Sequence, residues 1–266
     1  MAELSNSVES AEQLTVAWRA VVLDRDAGAD VRDLPGVAVR WADCRFTFWN
    51  CVTLTDVGAG ARLVRDRLGE VAAVMRAKRH PGFLWLFEDL LDDDGRAALD
   101  AAAEGAGLQH AFSGRGMAGD LLPLPDPTHP DLTFARVTTD EQLRDYADLN
   151  SLAYGFPLED GRDGIGGSAL WKDGVHAYLA LRDGVPVACA ASVAAVGRLF
   201  VALVATHPDW QHRGYGEAVT RKALHEGHRA TGLTRATLHA TAAGEPVYRR
   251  IGFEPNSVIR FYSLKS

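Results

Sequence analysis

The stretch best equipped for chemistry is residues 206–216, THPDWQHRGYG, which falls where an apolar, strand-like run ends and a helix-like run begins. The first turn of a helix leaves about four backbone N–H groups without partners and carries roughly half a positive charge, so such a position receives an anion. Gly214 and Gly216 put no side chain between a phosphate and those amides, and either can take left-handed torsions. Arg213 adds a fixed positive charge, Pro208 ends strand pairing, and Gln211 can tie the loop to itself through its amide. Two other groups carry less. His225 and His228 stand three residues apart, whereas a zinc-protease helix needs its histidines four apart, so HEGH reads as a solvated helix end. Cys44, Cys51 and Cys189 cannot all pair and have no CxxC spacing, which speaks against zinc or a redox couple and fits a reducing cytoplasm.

The elements that must position the 206–216 loop are legible on both sides of it. Residues 198–206 (RLFVALVAT) read as a strand too apolar to have a wet face, and 214–230 as an amphipathic helix. Upstream, 132–137 is a strand, Asp140 can cap a helix to residue 154, and 157–167 reads as a loop, with five glycines or prolines in eleven residues. Residues 177–182 and 185–195 are strands around Asp183-Gly184, a dipeptide that takes the positive φ angles of a tight hairpin. Downstream come a strand at 235–241, a short helix at 245–250 and a final strand at 258–264.

On these residues the C-terminal half, roughly 132–264, resembles the GNAT superfamily of acyl-CoA-dependent N-acyltransferases. The family hallmark, Gln or Arg, two residues, Gly, one residue, Gly or Ala, stands here as Gln211-His212-Arg213-Gly214-Tyr215-Gly216. The His207-Pro208 step, the helix that follows, and 238–253 (LHATAAGEPVYRRIGF) with its Tyr248, Gly252 and Phe253 also match the family pattern. The resemblance implies that the amides of His212 to Gly216 cradle the pyrophosphate of acetyl-CoA, that backbone groups of Val204 and Thr206 pair with the pantetheine arm, and that Tyr248 protonates the departing thiolate. It implies direct attack by the amine of a small molecule or peptide, with no metal and no covalent enzyme intermediate. Two departures stand out. Many relatives carry a glutamate on the strand before the cradle, but 198–206 holds no carboxylate, which leaves His239, His176, Glu159 and Asp160 as candidate bases. Thr241 stands where many relatives have asparagine.

The first half is separated by LLPLPDPTHP at 121–130, whose four prolines in ten residues forbid regular helix or central strand. Before it, 8–23 reads as a helix, 46–54 as a strand, 61–78 as a helix, 83–87 as a strand, 95–104 as a helix and 108–112 as a strand; β-α-β order implies parallel strands. This half could mirror the second, as a degenerate GNAT-like domain. Thr55-Asp56-Val57-Gly58-Ala59-Gly60 falls at cradle-like spacing, yet lacks the leading Gln or Arg and sets Asp56 against phosphate. The aromatic set Trp41, Phe46, Phe48, Trp49, Phe83, Trp85 and Phe87 reads as core.

With 266 residues, 47% of them apolar, there is ample chain for a sizeable core. Net charge −7 speaks against nucleic acid as partner, the polar and acidic first twelve residues lack the form of a signal peptide, and no apolar stretch reaches the ~18 residues of a membrane span. The expectation is a cytoplasmic α/β protein: an N-terminal degenerate GNAT-like domain over 1–122, a linker over 123–130, and a catalytic GNAT domain with a mixed central sheet over 131–266. Its expected activity is N-acyl transfer, with acetyl as the acyl group. A non-catalytic CoA-binding regulator, or another acyl-CoA reaction such as O-acylation or decarboxylation, stays open at this point.

Overall fold

The computed structural model describes residues 2–265, with side chains from Val8 onward. The chain forms two units. The first takes the residues up to Gly116 together with Ala240–Ala242 and the C-terminus from Pro255, and the second takes Met117–His239 and Ala243–Glu254.

In the first unit α1 (Ala2–Arg25) precedes β1 (Asp30–Leu34), β2 (Val37–Trp41) and β3 (Asn50–Leu54), an antiparallel meander. Then α2 (Ala61–Arg76) returns the chain to β4 (Phe83–Phe87), parallel to β3 as the β-α-β order requires. α3 (Asp93–Gly105) leads into β5 (Leu108–Asp120), the strand along which the chain passes into the second unit. The helices α2 and α3 lay Val64, Leu68, Val71, Met75 and Leu99 onto Val39, Val52, Leu84 and Leu86. Each such fully buried side chain contributes on the order of 1.5–3 kcal/mol.

Two sequence expectations change here. The run 46–54 is not one strand: Thr47–Trp49 is a 3-10 turn, and only Asn50–Leu54 pairs. Phe46 and Trp49 are as buried as the strand residues, so hydrophobicity could not separate turn from strand. The meander strands β1 and β2 were not expected at all, because β1 (DVRDL) is a mostly exposed edge with three charges in five residues and β2 buries an arginine. Arg40 is tolerated there because its guanidinium donates to the carbonyls of Thr15, Arg32 and Val39.

The second unit comprises β6 (Thr133–Arg136), α4 (Asp140–Tyr154), α5 (Leu158–Ile165), β7 (His176–Arg182), β8 (Val185–Ala195), β9 (Arg198–Thr206), α6 (Tyr215–Thr231), β10 (Arg235–Thr241) and α7 (Glu245–Ile251). Its strands lie in the order β10-β9-β8-β7-β6, antiparallel except for the parallel pair β9 and β10. The β7–β8 turn uses Asp183 (φ 50°) and Gly184 (φ 80°) as read from sequence. α4 is capped by Thr139, in a capping box with Gln142, one residue before the expected Asp140. α4 and α6 lie on opposite faces of the sheet. Asn150 on α4 reaches the Cys189 sulfur (3.3 Å), while Ser192, with a side chain on the other face of β8, donates to Ala223 O on α6 (2.7 Å).

Residues 157–167, expected as a loop, contain α5. Its glycines serve close packing: a Cβ on Gly161 would stand 2.3 Å from Ser151 Oγ on α4, and the Gly161 amide donates to that same oxygen (3.2 Å). The final strand β11 (Glu254–Leu264) also departs from the sequence boundaries, which placed everything from 131 onward in one domain. Its residues 259–262 pair antiparallel with 84–87 of β4, inside the first unit. Local apolar pattern announces a strand but not its neighbour.

The two halves of the sequence repeat one order of elements: an antiparallel meander leads into a strand-helix-strand-helix-strand run, β3-α2-β4-α3-β5 in the first half and β9-α6-β10-α7-β11 in the second.

Candidate active site

The parallel ladder between β9 and β10 lasts three rungs, Leu199, Phe200 and Val201 against Ala236, Thr237 and Leu238. Both strands continue, β9 to Thr206 and β10 to Thr241, so the β10-facing edge of β9 from Ala202 onward is unpaired with β10. On its other edge β9 carries a bulge. Cys189 pairs with Ala205 and Ala191 with Ala202, so Leu203 and Val204 together oppose Ala190. Leu203 lies in the left-handed region (φ 48°), a conformation that costs a side-chain-bearing residue about 1–2 kcal/mol. Two tyrosines from α4 hold the bulge: the Tyr146 hydroxyl donates to Leu203 O (2.9 Å) and the Tyr154 hydroxyl to Val204 O (3.2 Å). Burial pushes the Tyr154 hydroxyl up to about 12 and the Tyr146 hydroxyl well above its ordinary value, so both remain donors at neutral pH.

At the end of β9 the chain turns through Pro208–Trp210, closed by Trp210 N to His207 O (2.9 Å) and Asp209 N to His207 Nδ1 (3.2 Å). Gln211 is exposed and makes no hydrogen bond among the described residues, so the loop is closed by His207 rather than by the expected glutamine amide. His212 (φ 61°) and Gly214 (φ 80°) both take left-handed torsions, and Gly214 begins α6 without a side-chain cap. The first-turn amides of α6 are therefore left for an external acceptor. His129 steadies the loop through Nε2 to Arg213 O (3.2 Å). Gly216 sits against the end of β9, where a Cβ would stand 2.9 Å from Thr206 Oγ1. Tyr215 contributes only its backbone, because its ring is buried beneath α6 with Leu132, Tyr178 and Val187. The Arg213 guanidinium lies 5.2 Å from the centroid of the Trp210 ring.

Tyr248 lies on α7, buried, its ring edge-on to Phe253 (6.1 Å). Its hydroxyl is hydrogen bonded to no other described residue. Burial, with Tyr154 nearby, drives its pKa well above the usual phenol value. The four candidate bases are scattered. His239 is the β10 residue just past the last rung, with its ring against Phe200 (5.1 Å). His176 begins β7 opposite Ser192, on the α6 face and away from the β9–β10 opening, with its pKa lowered by burial and by Arg136. Glu159 and Asp160 occupy the first turn of α5, the former exposed.

Asp126, His225 and Glu226 converge closely enough to interest a metal, but Lys222 Nζ already lies 2.8 Å from each carboxylate and supplies the positive charge. His225 and His228 turn to the carbonyls of Leu124 (2.8 Å) and Leu233 (2.9 Å). Sequence reasoning missed the two bulge tyrosines and the bulge itself, since nothing local marks a leucine for left-handed torsion.

The first unit offers a direct contrast at Thr55 to Gly60. There the amides of Gly58 (2.7 Å) and Ala59 (3.4 Å) are both taken by Leu90 O, Asp56 is tied to Arg67 Nε (2.7 Å), and the Asp92 carboxylate stands where a Gly60 Cβ would be 3.0 Å away. An anion would meet an acid and spent donors.

A family model for the acetyltransferase (GNAT) domain matches residues 173–255, the segment holding the unzipped strands, the uncapped helix and Tyr248. Residues 173–255 form a GNAT acetyltransferase domain. The chemistry of that domain class is acyl-CoA-dependent acetyl transfer. Solved structures share the GNAT fold across nearly the whole chain. A GCN5-related N-acetyltransferase from Kribbella flavida is 20% identical with TM-score 0.70, over 98% of this chain and 95% of that one. One from Sphaerobacter thermophilus is 16% identical with TM-score 0.60, over 86% and 76%. A tandem GNAT protein from the clavulanic acid biosynthesis pathway is 15% identical with TM-score 0.52, over 75% and 68%. No curated protein matches the chain. No described helix is long and apolar enough to cross a membrane.

Proposed function

We propose that this GNAT domain transfers acetyl from acetyl-CoA to a primary amine of a small molecule or peptide by direct attack. The observation that carries the reading is the three-rung ladder: β9 parts from β10 beside a pinned bulge, and the same strand ends at an uncapped helix. A linear carrier with a diphosphate at one end and a hydrogen-bonding arm fits that combination. The amides of His212, Arg213, Gly214, Tyr215 and Gly216 receive the diphosphate, with the Arg213 charge beside them. Val204 and Thr206 offer backbone groups to the arm, and a bulge N–H stabilises charge developing on the thioester oxygen.

Tyr248 meets the departing sulfur. A phenol of ordinary pKa ~10 is already a weaker acid than a thiol of ~8.5 by about 2 kcal/mol, and burial widens the gap. Tyr248 therefore stabilises the thiolate chiefly by hydrogen bonding. The attacking amine has the opposite difficulty, since a lysine-like ammonium of pKa ~10.4 is neutral in only about one molecule in two thousand at pH 7. Of the four candidate bases only His239 borders the β9–β10 opening. We assign the first unit as a degenerate GNAT-like copy, on its repeated element order and its spent amides.

A second reading is a CoA-binding module without catalysis, favoured by the lack of a carboxylate on β9. Calorimetry with CoA, followed by free-thiol detection over an amine panel and product mass, separates the two. The expected result is binding with acceptor-dependent thiol release and a product heavier by one acetyl group. Binding without thiol release would favour the module; an absence of CoA binding would refute both.

A further inference from the structure

The helix that carries the cradle and the helix that carries Tyr248 are fastened by one three-residue device. Glu217, in the first turn of α6, accepts Arg250 Nε of α7 on one carboxylate oxygen (2.9 Å) and Arg221 Nε and Nη2 on the other (3.1 and 2.9 Å). Arg221 then donates to Arg250 O (2.8 Å), two residues after Tyr248. α7 is thus held at a backbone carbonyl and at a side chain. With only 22% of its side chain exposed, Glu217 is less screened than an ordinary surface ion pair. Burial opposes its charge, yet the two arginines keep the carboxyl below its usual range.

A lone carboxylate beside an anion cradle would repel the anion. Two arginines on one glutamate leave the cluster with a net positive charge, so the arrangement fastens α7 without that penalty. We propose that Glu217, through Arg221 and Arg250, is a positioning residue that sets where Tyr248 stands relative to the cradle. This rests on the acetyl-CoA reading given above. α7 is only seven residues long, too short to hold its own geometry, and misplacement of a catalytic group by about 1 Å can cost on the order of a hundred-fold in rate.

The test is a cycle of Glu217→Gln and Tyr248→Phe in the full chain, reading kcat with the best amine of the panel, CoA affinity by calorimetry and thermal midpoint. Glu217→Gln lowers kcat about ten-fold in the wild type. It lowers kcat less than two-fold in the Tyr248→Phe background, since its effect runs through that hydroxyl. CoA affinity stays equal or tightens by about two- to five-fold, because a negative charge has left the first turn of α6. Arg250→Gln reproduces the kcat loss from the α7 side and gives the reading should Glu217→Gln fail to fold, and Arg250→Lys restores part of it. Multiplicative losses in the double variant, or a parallel fall in kcat, CoA affinity and thermal midpoint, would overturn the proposal. If the wild type binds no CoA, the acetyl-CoA reading itself fails; if it binds and turns over while Glu217→Gln keeps full kcat, only the positioning role fails.

Discussion

The two cradle glycines should fail for different reasons, and that difference tests the anion site. At Gly214 the backbone is left-handed (φ 80°) but the space is open, the nearest atom to an added Cβ being His129 Nε2 at 3.8 Å. Gly214→Ala therefore costs strain of about 1–2 kcal/mol. Some of this is offset by the ~0.4–1 kcal/mol gained from a less flexible unfolded chain. A net loss of about 1 kcal/mol lowers the thermal midpoint by roughly 2–4 °C. At Gly216 the torsions are helical but the space is taken, with Thr206 Oγ1 at 2.9 Å. There a gain in helix propensity of about 1 kcal/mol roughly cancels the crowding, and the midpoint barely moves. What changes is the fit, since the new methyl group pushes the cradle and the end of β9 apart. Losing one amide-to-phosphate bond, worth about 1.5–3 kcal/mol, weakens CoA about ten- to hundred-fold in calorimetry. Thr206→Ala in the Gly216→Ala background reopens the space and recovers most of the affinity. Gly69→Ala, on an exposed turn of α2 with nothing near, is the control: slightly stabilised and unchanged in CoA binding. CoA affinity within two-fold of wild type in both cradle variants would refute the site.

Tyr248→Phe should lower kcat by about ten- to hundred-fold at unchanged CoA affinity. Because the pKa of Tyr248 is raised, the hydroxyl stays protonated above pH 10, so wild-type and variant pH profiles run parallel from 7 to 10; an alkaline limb near pH 8–9 that vanishes in the variant would contradict this. Cys44, Cys51 and Cys189 are buried, and burial raises the Cys51 and Cys189 thiols far above the usual range, so Ellman's reagent at pH 8 should label none until denaturant is added. A quickly reacting native thiol would count against the packing described. Lys222→Met should reduce stability to urea at pH 7. Hydrogen bonds to Lys222 depress the Asp126 carboxyl and, against the opposing effect of burial, that of Glu226; depressed carboxylates stabilise above their unfolded values near 4 and lose that contribution on protonation. The deficit of the variant should shrink as pH falls below about 4, whereas a constant deficit would mean that Lys222 acts by packing on Tyr178.

What could be read from residue types alone follows the range of the forces involved. The turn after β9 and the start of α6 were legible because their determinants are local: a proline and two glycines within eleven residues, followed by helical apolar spacing. The Asp183-Gly184 hairpin was legible for the same reason. The failures share a different cause. α5 was hidden because Gly161 and Gly164 count against a helix in isolation, and their value lies in letting α5 approach α4. The place of β11 was hidden because an apolar strand accepts any neighbour with a free edge, and β4 was the one that took it.

The bulge at Leu203 is the most telling omission, since a leucine is among the last residues expected at φ 48°. Its strain of about 1–2 kcal/mol is set against two hydroxyl hydrogen bonds from α4 to Leu203 and Val204, each contributing roughly 1 kcal/mol, and against burial of the leucine itself. The conformation is thus over-determined by groups that lie 50 or more residues away in sequence. An ordinary, unbulged β9 would be cheaper locally, but it would keep its amides in the ladder with β8 and leave none for the thioester of the proposed reaction. Strain held in place by distant side chains, at the point where the neighbouring ladder also ends, is how a sheet makes backbone donors available without exposing a full edge. That requirement is why local propensity and the observed structure part company at this position.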